Sequence, residues 1–344
     1  MATEKRRKPG WIRYTDEELL NLKFSELRLR LSDTVLQERI DRLYEELENR
    51  NISFRPHCWL SEEWFSPDGI PGIALPFYLA HPRLTKLESR QIFEVEGGSE
   101  RMCMKILRHE AGHAINTAFQ LHRRRRWKQI FGNYKKPYPT SYHPNPKSKY
   151  FVLHLDWWYA QSHPDEDFAE TFAVWLKPRS KWRREYSNWP VLRKLEYMDV
   201  LMDSIADKTP LTRRRLQYEP LSRNNRTLRQ YYLEKREAYD IGIPEVFDGE
   251  LIRLFAETSD DISCRRSAAT LLQNMQTDLC RICSRGTGEH PYVIAQIVQD
   301  MIVRCREMKL HVTRPVDLIK TDTAVFITVH ILNYIHKVRH SITV

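Results

Sequence analysis

The sequence predicts an α+β protein, in which a domain with a small mixed sheet and a long central helix is followed by a mostly helical C-terminal region. Two short β-like runs lie before residue 80, and a long helical pattern begins near residue 102. Further helical patterns continue to the end of the chain. Because 344 residues exceed the usual size of one domain, we expect a basic N-terminal arm at 1–33, a main domain at 34–207 and a helical region at 208–344.

The composition is typical of a globular protein, with 41% hydrophobic residues. No apolar run follows the charged N-terminus, and the apolar stretch from Ala324 to Leu332 is too short to cross a bilayer. The six cysteines lack the pattern of a small disulfide-linked domain. We therefore expect a soluble, cytoplasmic protein with free thiols and no membrane partner.

The formal net charge of +10 favours acidic partners. The basic residues are dispersed along the chain, which does not favour nucleic-acid binding as the main role. The run Arg123–Arg126 either steers an acidic substrate or is an ordinary solvated face at a helix end. The sequence does not define the oligomeric state.

The first elements have recognisable boundaries. Ser32-Asp33 can cap a helix whose apolar positions run from Val35 to Leu47. The β-like runs are Ser53 to Leu60 and Ile73 to Leu79, and turn-forming residues separate them. These two runs predict the small sheet.

Two further helices frame a candidate site. The first follows Gly97-Gly98-Ser99, and its apolar residues recur at helical spacing from Met102 to Phe119. The second should begin after Ser162-His163-Pro164, because proline suits the first helical turn and acidic residues suit the positive end of the helix dipole. Between them, Gly132 to Lys149 is a long loop rich in Pro, Tyr, Asn and Lys.

An H-E-x-x-H motif, from His109 to His113, lies within the first of these helices. Residues four apart lie one turn apart on the same helical face, so both imidazoles could bind one zinc ion. Glu110 would lie beside the ion, where a carboxylate can accept a proton from water and deliver it to a leaving amine. The alternative is that both histidines are ordinary helix residues with satisfied ring nitrogens.

The second helix offers a third ligand. Glu166 and Glu170 lie four residues apart and hence on one face. If Glu166 binds the metal, Glu170 can accept a hydrogen bond from the free N–H of a ligating histidine. Asp165 and Asp167 are the next candidates for the ligand position. The alternative is that this acidic run only favours a helix N-terminus and remains solvated.

These motifs resemble those of the gluzincin metallopeptidases, specifically the group that includes lethal-factor-type catalytic domains and bacterial zinc-binding metallopeptidases. The resemblance covers residues 34–205 and rests on His109-Glu110-x-x-His113, Tyr159 and Glu166-Asp167-Phe168-Ala169-Glu170. It implies a zincin-like fold that binds one zinc ion, with Glu166 as the third ligand and Glu170 at the place of the family's second glutamate. Thermolysin-like members differ, because they have Asp at the place of Glu170 and a shorter spacer.

The resemblance also implies a role for Tyr159, seven residues before Glu166. In lethal-factor-type members a tyrosine at this place donates a hydrogen bond to the developing oxyanion, which suits a preorganised donor in a partly dry site. The alternative is that Trp157, Trp158 and Tyr159 simply pack under the helix. His163 is a second candidate donor.

Two other features each have two interpretations. In related folds an edge strand aligns an extended peptide beside the metal, and Gly72 to Leu79 could do this, since Pro76 argues against a central strand. Ordinary core sheet is the alternative. Cys280-Arg281-Ile282-Cys283 is a single C-x-x-C, for which two buried helix thiols are the default over a structural zinc or redox site.

Together, the motifs and the resemblance predict a zinc metallopeptidase with His109, His113 and Glu166 as ligands, Glu110 as general base and Tyr159 as oxyanion donor. Its partner would be a peptide or protein substrate, and hydrolysis of a non-peptide amide would use the same chemistry. A non-catalytic, zinc-bearing scaffold protein is the alternative from another class. Such a scaffold has no need of a general base at Glu110.

Overall fold

The computed structural model describes residues 9–32, 34–239, 248–255, 266–338 and 342–343, with side chains up to residue 333. The predicted basic arm at 1–33 is therefore described only from residue 9 onward. Asp33 and Cys264 lie outside the described residues. The described chain is mostly helical and contains a small sheet, which agrees with the predicted α+β class.

Contacts along the chain divide it into two units. The first comprises Met1–Leu87, Glu96–Leu228 and Ser341–Val344, and the second comprises Glu88–Val95 and Arg229–His340. The predicted division at 34–207 and 208–344 remains a prediction. From the N-terminus to residue 203 the elements are α1 Asp16–Leu20, α2 Val35–Glu48, β1 His57–Ser61, β2 Gly72–Pro76, α3 Pro82–Ile92, α4 Glu100–Phe119, α5 Arg125–Ile130, β3 Ser141–Tyr142, α6 Pro164–Leu176, α7 Trp182–Glu185 and α8 Leu192–Asp203.

The helical patterns near the C-terminus form the core of the second unit. The later helices are α9 Leu228–Tyr239, α10 Asp248–Leu254, α11 Ala268–Thr287, α12 Pro291–Glu307 and α13 Val316–Val338. The last strand, β4 Ile342–Thr343, belongs to the first unit, where it pairs antiparallel with β3. Apolar residues of α10 to α13 form one buried cluster. Cys280 and Cys283 both lie in this cluster as free thiols, which favours the default interpretation of the C-x-x-C.

The sheet formed by β1 and β2 is parallel, whereas the sequence predicted a mixed sheet. Strands β1 and β2 pair in parallel with His57 opposite Gly72, and a single antiparallel bridge joins Ala74 to Phe65. Since β2 has a neighbour on both sides and all five of its residues are buried, the structure favours core sheet over an edge strand for a peptide. Pro76 fits there because it is the last residue of the strand, where no further ladder bond is needed.

Side-chain caps explain where the helices begin. The hydroxyl of Ser99 accepts a hydrogen bond from the Met102 amide at the start of α4. His163 caps α6 through its Nδ1, with Pro164 as the first helical residue. The cap of α2 is Thr34, and therefore not the predicted Ser32, because the Thr34 hydroxyl accepts from the Gln37 amide.

Helices α4 and α6 pack with almost no space between their backbones. A Cβ at Gly112 would lie 2.9 Å from the Cα of Ala169, so only glycine allows this approach. The close crossing brings the H-E-x-x-H motif of α4 next to the acidic start of α6. Among the described helices, none combines the length and the apolar character that crossing a membrane requires.

Candidate metal centre

Three side chains from α4 and α6 converge on one point. His109 and His113 lie one turn apart on α4, and Glu166 lies in the first turn of α6. The Nε2 atoms of the two histidines are 3.1 Å apart. The Oε2 of Glu166 lies 3.0 Å from the Nε2 of His109 and 3.3 Å from that of His113.

The geometry of these three atoms suits a small divalent cation. Potential ligand atoms of His109, His113 and Glu166 all lie within 4.8 Å of one another. Tetrahedral zinc with bonds of about 2.0–2.1 Å places two ligand atoms about 3.3 Å apart. Two imidazole nitrogens and one carboxylate oxygen are also donors that zinc prefers, and three protein ligands leave a fourth position for water.

Glu170 orients the ring of His109. Its Oε1 lies 2.8 Å from the Nδ1 of His109, and its Oε2 accepts a hydrogen bond of 2.8 Å from the Leu155 amide. When Nδ1 donates to the carboxylate, Nε2 has its lone pair free for a metal ion. Glu170 is completely buried. It makes the contact with a histidine ring that its spacing from Glu166 predicted.

Asp165 orients His113 in the same way. Its Oδ2 lies 2.8 Å from the Nδ1 of His113, and its Oδ1 accepts from the Asn116 amide group at 2.7 Å. The side-chain oxygen of Asn116 in turn accepts from the backbone N–H of His122. The two histidines therefore each have their own buried carboxylate, and Asp165 orients a ligand where the sequence suggested only a substitute ligand.

Asp167 points away from the metal-ligand cluster of His109, His113 and Glu166. Its Oδ2 forms a buried ion pair of 2.6 Å with the ammonium group of Lys194 on α8. This contact makes Asp167 a structural link between α6 and α8, so it is not a candidate for the third ligand position.

The electrostatics of the cluster favour positive charge at its centre. Burial by itself lowers the pKa of His109, but hydrogen bonds and charge interactions with Glu166 and Glu170 outweigh it and raise this pKa to about 10. Burial likewise opposes ionisation of Glu166, yet the two histidines hold its pKa well below the usual range. A buried site with this many carboxylates is stabilised either by protonated imidazoles or by a divalent cation.

Glu110 follows the first histidine and has a different environment from the other carboxylates. The residue is 8% exposed, and its backbone carbonyl accepts a hydrogen bond from the hydroxyl of Ser66. Among the described residues, no side chain or amide forms a hydrogen bond with its carboxylate. A carboxylate without a structural partner beside a metal-ligand cluster is available to bind water.

Tyr159 lies next to His109, with 5.8 Å between the ring centroids. Burial, followed by the charges of Glu166 and Glu110, raises the pKa of its phenol. The hydroxyl therefore keeps its proton at neutral pH and can donate a hydrogen bond. These contacts place the Tyr159 ring beside His109, and its role as oxyanion donor stays a prediction.

The turn before Tyr159 is strained. Trp157 and Trp158 have φ angles of 60° and 53°, in the left-handed region that costs non-glycine residues on the order of 1–2 kcal/mol each. The hydroxyl of Tyr142 donates a hydrogen bond of 2.8 Å to the Trp157 carbonyl. Together with the bond from Leu155 to Glu170, this contact holds the turn in place, and such strain is typical of functional sites.

Tyr138 is a further site residue, and its role was not predicted from the sequence. It lies in the loop from Gly132 to Lys149, and its hydroxyl donates a hydrogen bond of 2.8 Å to the Oε1 of Glu166. Its ring stacks on His163 with 3.9 Å between the centroids. The only signal in the sequence was the tyrosine-rich composition of this loop.

The suggestion that His163 is a second oxyanion donor is wrong. Its Nδ1 accepts from the Asp165 amide, and its Nε2 lies 2.7 Å from the carbonyl oxygen of Lys136. Both ring nitrogens are therefore used for capping α6 and for holding the loop, so neither is available to a substrate.

Comparison with known proteins finds a family model that is similar to one part of the chain. No curated protein and no solved structure matches the sequence. A family model does match, and the matched range contains His109, His113 and Glu166. Residues 96–186 match the family described as "Putative zinc-binding metallo-peptidase", as the resemblance of the two motifs had implied.

Proposed function

We propose that this protein is a zinc-dependent hydrolase of the gluzincin type and that it cleaves peptide bonds. The observation that carries the proposal is the convergence of the His109 and His113 Nε2 atoms with the Glu166 carboxylate within 4.8 Å, with a buried carboxylate behind each imidazole. The family match over residues 96–186 supports the same class of activity.

In this proposal, His109, His113 and Glu166 hold one zinc ion. When bound, zinc would lower the pKa of a water molecule and polarise the carbonyl group of the substrate. Glu170 and Asp165 keep the two imidazoles in the orientation in which Nε2 faces the ion. Tyr138 fixes the second oxygen of Glu166, so that only Oε2 faces the histidines.

Glu110 is the general base and then the general acid. Its carboxylate takes a proton from the attacking water and delivers it to the amine that leaves when the amide bond breaks. The absence of a competing hydrogen-bond partner among the described residues supports this role. A scaffold protein would have no use for such a carboxylate beside the ligands.

Tyr159 stabilises the oxyanion that forms on the carbonyl oxygen in the transition state. The raised pKa keeps its phenol protonated, and the ring is held beside His109 before substrate binds. A donor that is already in position needs little reorganisation during the reaction, which is the basis of electrostatic stabilisation in active sites.

The proposal is tested by profiling cleavage of a mixed peptide library with added zinc, with chelator, and with Glu110→Gln. We expect cleavage by the wild type, its loss with chelator and its recovery with zinc. Glu110→Gln should bind zinc like the wild type but lower kcat by about 10²–10⁴-fold, the usual contribution of general acid–base catalysis.

Glu100→Gln is the matched control, because it makes the same change on the same helix at an exposed position. It should leave both zinc binding and kcat unchanged. Zinc-loaded wild type that cleaves no member of the library would contradict a peptidase. A Glu110→Gln variant with wild-type kcat would contradict the role of Glu110.

A further inference from the structure

A second concave site lies in the first unit, apart from the metal-ligand cluster. Its volume is about 560 Å³, and its walls are residues 53–55, His57, Pro71, residues 207–210 and residues 213–215. This volume lies within the range of roughly 300–1,000 Å³ that is typical of small-molecule sites. None of the proposed metal ligands or catalytic residues lines it.

The walls of this cleft carry a strong positive charge. The charged lining residues are the cations Arg55, Lys208, Arg213, Arg214 and Arg215 and the carboxylate of Asp207. Arg55 pairs with Glu48 at 3.2 Å. Within the part of the chain that the structure describes, Lys208 and the three consecutive arginines form no ion pair. Several unpaired cations around one concavity concentrate the field there and attract a multivalent anion.

The arginine segment is fixed on both sides, although its side chains are exposed. The amides of Leu211 and Thr212 both donate to the Ala118 carbonyl, at 2.9 and 3.0 Å. After the arginines, the Nε2 of His57 lies 2.8 Å from the carbonyl oxygen of Leu216. The backbone that carries the three arginines is thus anchored to α4 and to β1, which lowers the entropic cost of ordering them on a ligand.

We propose that this cleft binds the linked phosphate groups of a small polyphosphate anion, either free polyphosphate or the phosphate chain of a nucleotide. Planar guanidinium groups donate paired hydrogen bonds to phosphate oxygens, and three in sequence match several linked phosphates better than a single carboxylate. A nucleic acid would need a charged stripe along an extended surface, whereas these cations surround one bounded cleft. The inference is independent of the proposed hydrolase activity.

The test is calorimetric titration of the full-length chain with inorganic tripolyphosphate. The protein is treated with chelator first, so that the heat does not report zinc bound by the probe. We expect saturable binding with one site per chain. Arg214→Gln/Arg215→Gln should weaken it at least about tenfold, since each charged hydrogen-bonding group contributes substantially to anion affinity.

The matched control is Arg125→Gln/Arg126→Gln, which removes two adjacent exposed cations from α5 outside the cleft. This control should bind tripolyphosphate within about twofold of wild type, because screened charges at a distance contribute little. Equal weakening by both double variants would overturn the proposal, and so would the absence of saturable binding to wild type. Thermal unfolding of each variant verifies that it folds.

Two further arms identify the source of the phosphates. ATP that binds more tightly than tripolyphosphate would assign the cleft to a nucleotide, while weaker ATP binding would assign it to free polyphosphate, and both outcomes support the proposed chemistry. Single-stranded DNA provides the contrary arm. Affinity that increases with DNA length and resists competition by tripolyphosphate would overturn the proposal in favour of a nucleic-acid surface.

Discussion

At the residue scale, the double use of Glu170 is the most informative contact in the site. One carboxylate oxygen orients His109, and the other holds the Leu155 amide at the base of the strained turn that carries Tyr159. One side chain therefore couples the position of a proposed metal ligand to that of the proposed oxyanion donor.

Glu170→Gln should lower zinc affinity by about 10–100-fold, the usual effect of removing a carboxylate behind a metal-binding histidine. An amide has one acceptor oxygen, so either His109 or Leu155 loses its partner. Competition with a zinc-binding indicator measures the affinity. Glu185→Gln, an exposed change on α7, is the control and should bind zinc normally; an unchanged affinity in Glu170→Gln would contradict the orienting role.

The two tyrosines of the site should have separable effects. Tyr138→Phe removes a hydrogen bond to Glu166 and should weaken zinc binding by up to about tenfold, since one such bond contributes about 1 kcal/mol. Tyr159→Phe should leave zinc affinity unchanged and lower kcat by about 10²-fold, as expected for loss of one oxyanion donor. Each variant serves as the other's control, and the reverse pattern would exchange their roles.

The sequence could predict the residues whose positions follow from helical spacing. His109 and His113 are one turn apart on α4, and Glu166 and Glu170 are one turn apart on α6, so their shared faces were readable from the chain alone. Tyr138 was not predictable, because the path of an irregular loop over the site leaves no periodic pattern.

At the scale of elements, the crossing of α4 and α6 sets the distance between the histidines and Glu166. Gly112 lies between His109 and His113 and faces Ala169, which lies between Glu166 and Glu170. The contact point is thus centred on the site. A wider crossing would move the Glu166 carboxylate away from the two histidine nitrogens.

Gly112→Ala should lower the free energy of unfolding by about 1–3 kcal/mol, because the new methyl group would meet backbone that cannot move without shifting a helix. Zinc affinity should fall as well. Urea unfolding and indicator titration measure the two effects. Gly10→Ala, where an added Cβ meets nothing within 4 Å, is the control; equal stability of the two variants would contradict a tight crossing.

Helix starts were easier to predict than strand neighbours. Ser99 marks the start of α4 because serine is a common N-cap residue. Pro164 marks the start of α6 because proline is common at the first helical position. The position of β2 depends on Phe65, whose bridge to Ala74 has no local signature. Pro76 therefore suggested an edge strand, although its place at the strand end makes it compatible with burial.

For the whole molecule, stability should depend on pH through buried His154. Burial lowers its pKa from 6.5 to about 4, although Glu170 and a hydrogen bond to the Lys105 carbonyl oppose the shift. The unfolded chain therefore binds a proton below pH 6.5 that the folded chain does not bind until about pH 4. This contribution to stability is present at pH 7 and is lost as the pH falls.

Between pH 7 and pH 5, wild type should lose about 2 kcal/mol more stability than His154→Gln, which keeps a donor for Lys105 but cannot be protonated. Urea unfolding of both proteins in chelator at the two pH values measures the difference. Parallel losses in the two proteins would show that His154 does not titrate in this range.

The α+β fold class was predictable because helical periodicity dominates the chain. The net charge, in contrast, did not predict the position of the basic cleft. The net charge of +10 does not indicate which basic side chains lie close together in the fold. The cleft around Arg213–Arg215 is lined by residues 53–55, 57, 71, 207–210 and 213–215. Segments this far apart in sequence come together only through the fold. The charge pattern alone predicted no such site.

The most direct test of the central claim is zinc stoichiometry and affinity, measured by elemental analysis and indicator competition in wild type, His113→Ala and Glu166→Ala. We predict one zinc ion per wild-type chain and, in each variant, a loss greater than the roughly 10–100-fold expected for a supporting carboxylate. Wild-type protein that takes up no zinc, or a Glu166→Ala variant that binds it undiminished, would contradict the account.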